Sequence, residues 1–178
     1  MNTLLHVCCA PCSIACIEQL REEGVEPTAF WYNPNIPPFT EYRARRDTAR
    51  AYLKDIGVTL AEEDDYGLRA FLDAIPAYDR RCAACYALRL NAAAAYAAAE
   101  GFASFSTTLL ISPYQNHELL KAEAQKAAKA HGVEFLYRDF RPRFREGQQK
   151  AREAGLYMQK YCGCIFSEEE RYNKRKSG

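Results

Sequence analysis

The chain has 178 residues, a net charge of +1, 48% hydrophobic and 26% charged residues, and eight cysteines. That length can bury a core without covalent staples, so disulfides are not needed for folding. The apolar run Leu4-Leu5-His6-Val7 is too short for a secretory signal, and no segment reaches the roughly 18 apolar residues of a membrane span. The expectation is therefore a cytoplasmic protein with no membrane partner, where thiols stay reduced and eight cysteines mean metal binding or redox chemistry.

In chain order, Leu4-Val7 reads as a strand and Ser13-Glu23 as the helix after it. Pro27-Tyr32 is a second strand, ended by the turn-rich stretch 33–38, and Thr40 offers a cap for a helix over Glu41-Ile56. Val58-Leu60 is a short strand, and an acidic turn, Glu62-Asp65, leads to a helix from Gly67 to about Ala74. The alanine-rich stretch Cys82-Glu100 is a strong helix by propensity, stopped by Gly101. Phe102-Leu110 is the next strand, with Ser112 and Pro113 suited to open the helix that follows, Glu118-His131, which Gly132 stops. Val133-Tyr137 is the last strand, and the rest reads as loop and helix.

Strands alternating with long helices imply crossover connections, hence a doubly wound α/β fold: a mainly parallel sheet with helices on both faces, in a single domain over residues 1–178. Such sheets bind ligands outside the carboxyl ends of their strands, at a switch point, where Cys8 and Cys9 fall. The last segment carries a charge bias: from Arg138 onward eleven Lys/Arg face six Asp/Glu. That excess suits a polyanionic partner such as RNA, and equally a solvated basic tail.

The cysteines fall into three groups: Cys8, Cys9, Cys12 and Cys16; Cys82 and Cys85; Cys162 and Cys164. Buried structural cysteines need no clustering, whereas metal sites need thiolates that converge. Cys82-Ala-Ala-Cys85 heads a helix behind Arg80-Arg81, where the helix dipole and the arginines favour thiolate. With Cys8 and Cys9 it makes a four-thiolate set for zinc or an iron–sulfur cluster. Cys162-Gly163-Cys164 can open and close a strained disulfide, the reactive kind, or supply a further ligand pair. Cys9-Ala-Pro-Cys12 reads in isolation like a thioredoxin-type pair, and Cys16 like packing. The polar stretch from Thr107 to Glu118 suits a substrate pocket, with His117 as a candidate proton donor. Trp31, Tyr32, Tyr114, Arg141, Arg143 and Arg145 are candidates for stacking on bases or binding phosphates.

Taken together, HVCCAPC at 6–12, RRCAACYALR at 80–89, FSTTLLISPYQNHE at 105–118, DFRPRFREGQQKAREAGLY at 139–157 and QKYCGCIFS at 159–167 resemble the QueH-type epoxyqueuosine reductases over almost the whole chain. The resemblance implies reduction of the epoxide of epoxyqueuosine at the tRNA wobble position to give queuosine. It implies a four-iron four-sulfur (4Fe-4S) cluster on Cys8, Cys9, Cys82 and Cys85, and a redox-active disulfide at Cys162 and Cys164 as the catalytic pair. It further implies a tRNA partner carrying epoxyqueuosine, an external electron donor, and a sheet similar to the ATP-pyrophosphatase-like, Rossmann-like enzymes. The glycine-rich phosphate loop of that wider group is missing, so no ATP use is expected. Some members of the family hold an additional iron through an acidic residue near the first motif, where this sequence has Cys12 and Ser13. Two other readings remain open on the residues alone: a zinc-stabilised RNA-binding module on the same four thiols, and a thioredoxin-like thiol oxidoreductase on Cys9 and Cys12.

Overall fold

A computed structural model describes residues 2–173. Five strands form one all-parallel sheet: β1 (Thr3–His6), β2 (Pro27–Trp31), β3 (Leu60–Glu62), β4 (Ser104–Thr107) and β5 (Glu134–Phe135), in the spatial order β3-β2-β1-β4-β5. Every residue of β1 and β4 is buried, as a parallel sheet covered on both faces requires; this is why these strands read as continuous runs rather than as alternations.

Seven α-helices connect and flank the strands: α1 (Ala10–Glu22), α2 (Phe39–Asp55), α3 (Leu68–Ala74), α4 (Arg81–Ala99), α5 (His117–His131), α6 (Phe144–Glu153) and α7 (Ile165–Tyr172). From β1 the chain winds outward through β2 to β3, then returns to the other side of β1 for β4 and β5. Right-handed crossovers therefore put α1 and α2 on one face, where α6 packs on α1, and α4 and α5 on the other. The fold is the doubly wound α/β class that the alternating pattern implies.

Local chemistry sets the helix boundaries. Helix α1 starts three residues earlier than Ser13, because Cys9 is extended (φ −172°, ψ 163°) and its sulfur accepts the Cys12 N–H at 3.4 Å, with Pro11 in the first turn. Thr40 does not cap α2, which opens at Phe39 behind Pro38 with no side-chain cap bond. Likewise α5 is capped by Asn116, whose carbonyl oxygen accepts the Leu119 N–H at 3.1 Å; Ser112 instead closes a turn by accepting the Tyr114 N–H. Gly132 ends α5 at φ +67°, the left-handed conformation expected of it. The alanines of α4 let it lie close to β1, β4 and α5, with Ala84, Ala93, Ala94 and Ala97 fully buried. Gly147 does the same for α6: a Cβ there would stand 3.3 Å from Ala15 Cβ on α1. The third strand lies two residues later than Val58-Leu60, β4 is shorter than Phe102-Leu110, and residues Thr108–Ile111 wind into a 3-10 turn.

Candidate active site

The switch point lies between β1 and β4, whose registers pair His6 with Thr107. His6, fully buried, ties three strand ends together. Its Nε2–H donates to the Tyr32 carbonyl (3.1 Å), so Nδ1 is left to accept the Thr107 hydroxyl (2.9 Å). Burial, assisted by the Arg89 charge, lowers its pKa to about 4, which keeps the ring neutral and this tautomer fixed. Asn33 adds a bond from Nδ2 to the Val7 carbonyl at 3.0 Å. These bonds hold the turn that follows, and the cysteines on it.

On that turn the sulfurs of Cys8, Cys9 and Cys12 all lie within 4.8 Å of one another, a group able to hold a metal ion. Cys8 is partly exposed; Cys9 and Cys12 are buried. The Cys8 N–H donates to Thr108 Oγ1 (3.1 Å), and the Thr108 hydroxyl donates back to Cys8 Sγ (3.3 Å), so the turn that follows β4 fixes the first sulfur from across the crevice. Hydrogen bonds from Cys12, Cys9 and Thr108 pull the Cys8 thiol well below its usual range against the effect of burial. Cys12 is pushed up by its bonds to Cys8 and Cys9, and Cys9 by burial, so of the three thiols Cys8 is the one favoured as thiolate. Gln159 Nε2 donates to Cys9 Sγ at 3.0 Å and reaches Cys12 Sγ at 3.7 Å, while its Oε1 is buried without a partner.

A cavity of about 680 Å³ opens over this turn, and three cysteine groups border it. Cys8 and Cys12 form one wall, Cys82 and Cys85 another, Cys162 and Cys164 a third; Cys9 sits behind Cys8, with sulfurs 3.8 Å apart. Cys16 is fully buried in the core and takes no part. Cys85 and Cys164 pack into one small apolar cluster with Phe71 of α3, which sets the C-terminal pair against the α4 pair.

The expectation of easily formed thiolates at Cys82 and Cys85 is overturned. Burial raises both thiols, Cys85 to about 11, and outweighs the opposing pull of Arg81 at Cys82 and of Arg89 at Cys85. Arg81 is drawn to Glu170 (2.5 Å) instead. The cation that does touch a sulfur is Arg89, 3% exposed, with Nη2 2.8 Å from Cys85 Sγ and Nε 3.1 Å from the Cys85 carbonyl. Its position four residues beyond Cys85 puts it on the same helix face, so the spacing alone could have pointed to it.

Other candidates divide clearly. Trp31 is fully buried, its indole N–H on Tyr42 Oη at 3.1 Å, and is core rather than a stacking platform. Tyr32 borders a separate, shallower hollow, and His117, bonded to Tyr137 Oη at 2.8 Å, does not border the cysteine cavity. Arg143 is consumed by Glu18, Glu22 and Glu146, and Arg141 by Asp139, while Arg145 is exposed. Tyr114 is 87% exposed at the cavity mouth, braced edge-on against Phe144 with ring centroids 5.9 Å apart. Six basic side chains border the cavity against the single acid Glu170. Three of the six, Arg45, Arg81 and Arg89, lie within the earlier part of the chain, where the net charge is negative, and only the fold brings them to the site.

A profile of the family described as epoxyqueuosine reductase QueH matches residues 3–170. The chain belongs to the QueH family of epoxyqueuosine reductases. It is 39% identical over 175 residues to the epoxyqueuosine reductase QueH of Dehalococcoides mccartyi, covering 98% of this chain and 96% of that one. The QueH proteins of Thermotoga maritima (34% identical; 97% and 93% covered) and Haemophilus influenzae (33%; 92% and 70%) are similarly related. Among solved structures, the chain is similar to a teicoplanin-bound deacetylase at TM-score 0.48 and 10% identity, covering 100% of this chain and 94% of that one. No helix among the described residues is long and apolar enough to cross a membrane.

Proposed function

We propose that the cysteine-bordered cavity is where this QueH-family chain performs its reaction, with epoxyqueuosine in tRNA as substrate. Membership of the family makes the chain an epoxyqueuosine reductase, an oxidoreductase of tRNA modification. The observation that carries the assignment to this cavity is the convergence of six cysteines, from three distant parts of the sequence, on one basic space at the switch point of the sheet.

The reaction removes the epoxide oxygen as water and leaves a carbon–carbon double bond, which consumes two electrons and two protons. Oxidation of one dithiol to a disulfide releases that complement. Cys162 and Cys164 suit the role: both are free thiols at the cavity wall, one exposed and one buried, and the single glycine between them keeps the two sulfurs near each other. An external donor then restores the thiols.

The remaining donor set fits a resident iron–sulfur group. Cys8, Cys82 and Cys85 border the cavity with Cys9 beside Cys8, and Arg89, Thr108 and Gln159 already aim donors at three of these four sulfurs. A four-iron cluster held there would pass the dithiol's electron pair on as single electrons, chemistry that no side chain provides. Cys12, third member of the tight group, is the residue available for an additional iron. The closed zinc module accounts less well for the site, since a structural Cys₄ zinc site has no use for the further thiols at Cys162 and Cys164. The thioredoxin-like reading requires an accessible, readily ionised Cys9 as the attacking thiol, yet Cys9 is buried and its thiol is pushed up by that burial.

Around these groups the chain's own residues place the substrate. Tyr114 offers a rigid aromatic face at the mouth, and Arg152, Lys160 and Arg171 supply cations for the phosphates of an RNA loop whose base is turned inward. The test is anaerobic incubation with epoxyqueuosine-containing tRNA and a reductant, followed by nucleoside mass spectrometry. Queuosine is the expected product, and its absence with iron-loaded protein overturns the proposal.

A further inference from the structure

Apart from the cysteines, the most completely held polar group at the cavity is Arg45 of α2. It is 2% exposed, and each of its three nitrogens has a partner. Nε donates to Glu41 Oε1 at 2.8 Å, Nη1 to the Cys162 carbonyl at 3.0 Å and Nη2 to the Tyr161 carbonyl at 2.8 Å. The guanidinium carbon stands 5.2 Å from the centroid of the Tyr161 ring, whose hydroxyl donates to the Pro37 carbonyl at 2.7 Å. Gly163 completes the arrangement. Its φ of +119° is one that L side chains rarely adopt, and a Cβ there would lie 3.0 Å from Ile36 Cγ1 and 3.1 Å from Arg45 Nη1. Burying a guanidinium is costly unless its donors are satisfied. Here two of the three donor nitrogens are spent on the backbone of one short loop, and that loop carries the Cys-Gly-Cys.

We infer that Arg45 is the positioning residue of the Cys162–Cys164 pair, its forked guanidinium holding the backbone on the N-terminal side of Gly163 so that the two thiols are already arranged to close. The inference rests on the reading of that pair as the redox couple. Closure forms one S–S bond and releases two protons and two electrons, which glutathione disulfide takes up in becoming two glutathione thiols. A loop held in the closing conformation has less freedom to lose, so the clamp raises the equilibrium constant for closure. Lysine keeps the charge of Arg45 but cannot fork to two carbonyls.

The experiment equilibrates reconstituted full-length protein, native and Arg45→Lys, in glutathione redox buffers, and quantifies the Cys162–Cys164 disulfide by alkylation and peptide mass spectrometry. Circular dichroism and iron content are read on the same samples. Arg45→Lys is expected to lower the closure constant at least tenfold, a shift of about 30 mV toward a more oxidising couple, with iron content unchanged. Glu41→Ala, which removes the acceptor of Nε and with it the acceptor of the Tyr157 hydroxyl in the stretch leading into the loop, is expected to shift it the same way and stands in if Arg45→Lys does not fold. A native-like closure constant in a folded variant overturns the role of Arg45 while the native disulfide stands. A native chain that forms no Cys162–Cys164 disulfide in any buffer overturns the redox-pair reading, and the role of Arg45 with it.

Discussion

Replacing Arg89 by methionine keeps most of the buried stem and removes the one cation among the described residues that donates to a cysteine sulfur. The guanidinium is 3% exposed and donates to Cys85 Sγ at 2.8 Å, in a setting where burial outweighs the pull of Arg89 itself and holds the thiol at about 11. A hydrogen bond to a charged group contributes about 1.5–3 kcal/mol, and removal of such an outer partner typically lowers metal affinity about 10- to 100-fold. Metal binding requires Cys85 as thiolate, so the variant meets the burial cost with no cation to offset it. Arg89→Met is therefore expected to bind zinc about 10- to 100-fold more weakly, measured by competition with a chromophoric chelator on metal-free protein, and to lose iron faster to the same chelator after anaerobic reconstitution. Thermal melts of the metal-free forms separate this from a folding defect. Zinc affinity within twofold of native, in a folded variant, would refute the placement of Arg89 on a ligating sulfur.

Replacement of Cys162 or Cys164 by alanine is expected to abolish turnover while iron content, read by colorimetric assay, stays native; loss of iron would move the pair into the ligand set. Tyr114→Ala is expected to raise KM for tRNA about 5- to 150-fold with kcat kept, from a base-stacking contribution of about 1–3 kcal/mol, and Tyr114→Phe to restore it. Gly147→Leu drives a side chain into α1, where a Cβ alone already stands 3.3 Å from Ala15 Cβ. Overpacking of about 1–3 kcal/mol should lower the Tm of this chain by about 2–12 °C, with iron binding retained once folded.

The sequence made the framework legible wherever the determining interactions are local. Leu4-Val7 and Pro27-Tyr32 read as strands because a parallel sheet buries them on both faces, and Gly132 marked the end of α5 because only a left-handed residue fits there. Local pattern failed at β3, where the partners that fix the register, Ala29 to Trp31, lie some thirty residues away. It failed again at Thr40 and Ser112, each a good cap by residue type but set aside by the chain path. At the site, the three cysteine groups were visible as spacing, and the cavity they share joins them. What spacing could not carry was their protonation: helix dipole and arginines favoured thiolate at Cys82 and Cys85, and burial, which no single motif encodes, reversed it. Arg45 and Gln159 were invisible for a similar reason. Each acquires its role only through contacts more than a hundred residues away along the chain.

The claim on which the rest depends is that the Cys162–Cys164 dithiol supplies the electron pair that removes the epoxide oxygen. It is tested most directly in a single turnover: reduced, iron-loaded protein is freed of external reductant, mixed anaerobically with epoxyqueuosine-containing tRNA, and quenched by alkylation. The account predicts one Cys162–Cys164 disulfide for each queuosine formed, and no product from Cys164→Ala. Queuosine formed while both thiols remain alkylatable, or formed equally by the alanine variant, would contradict it.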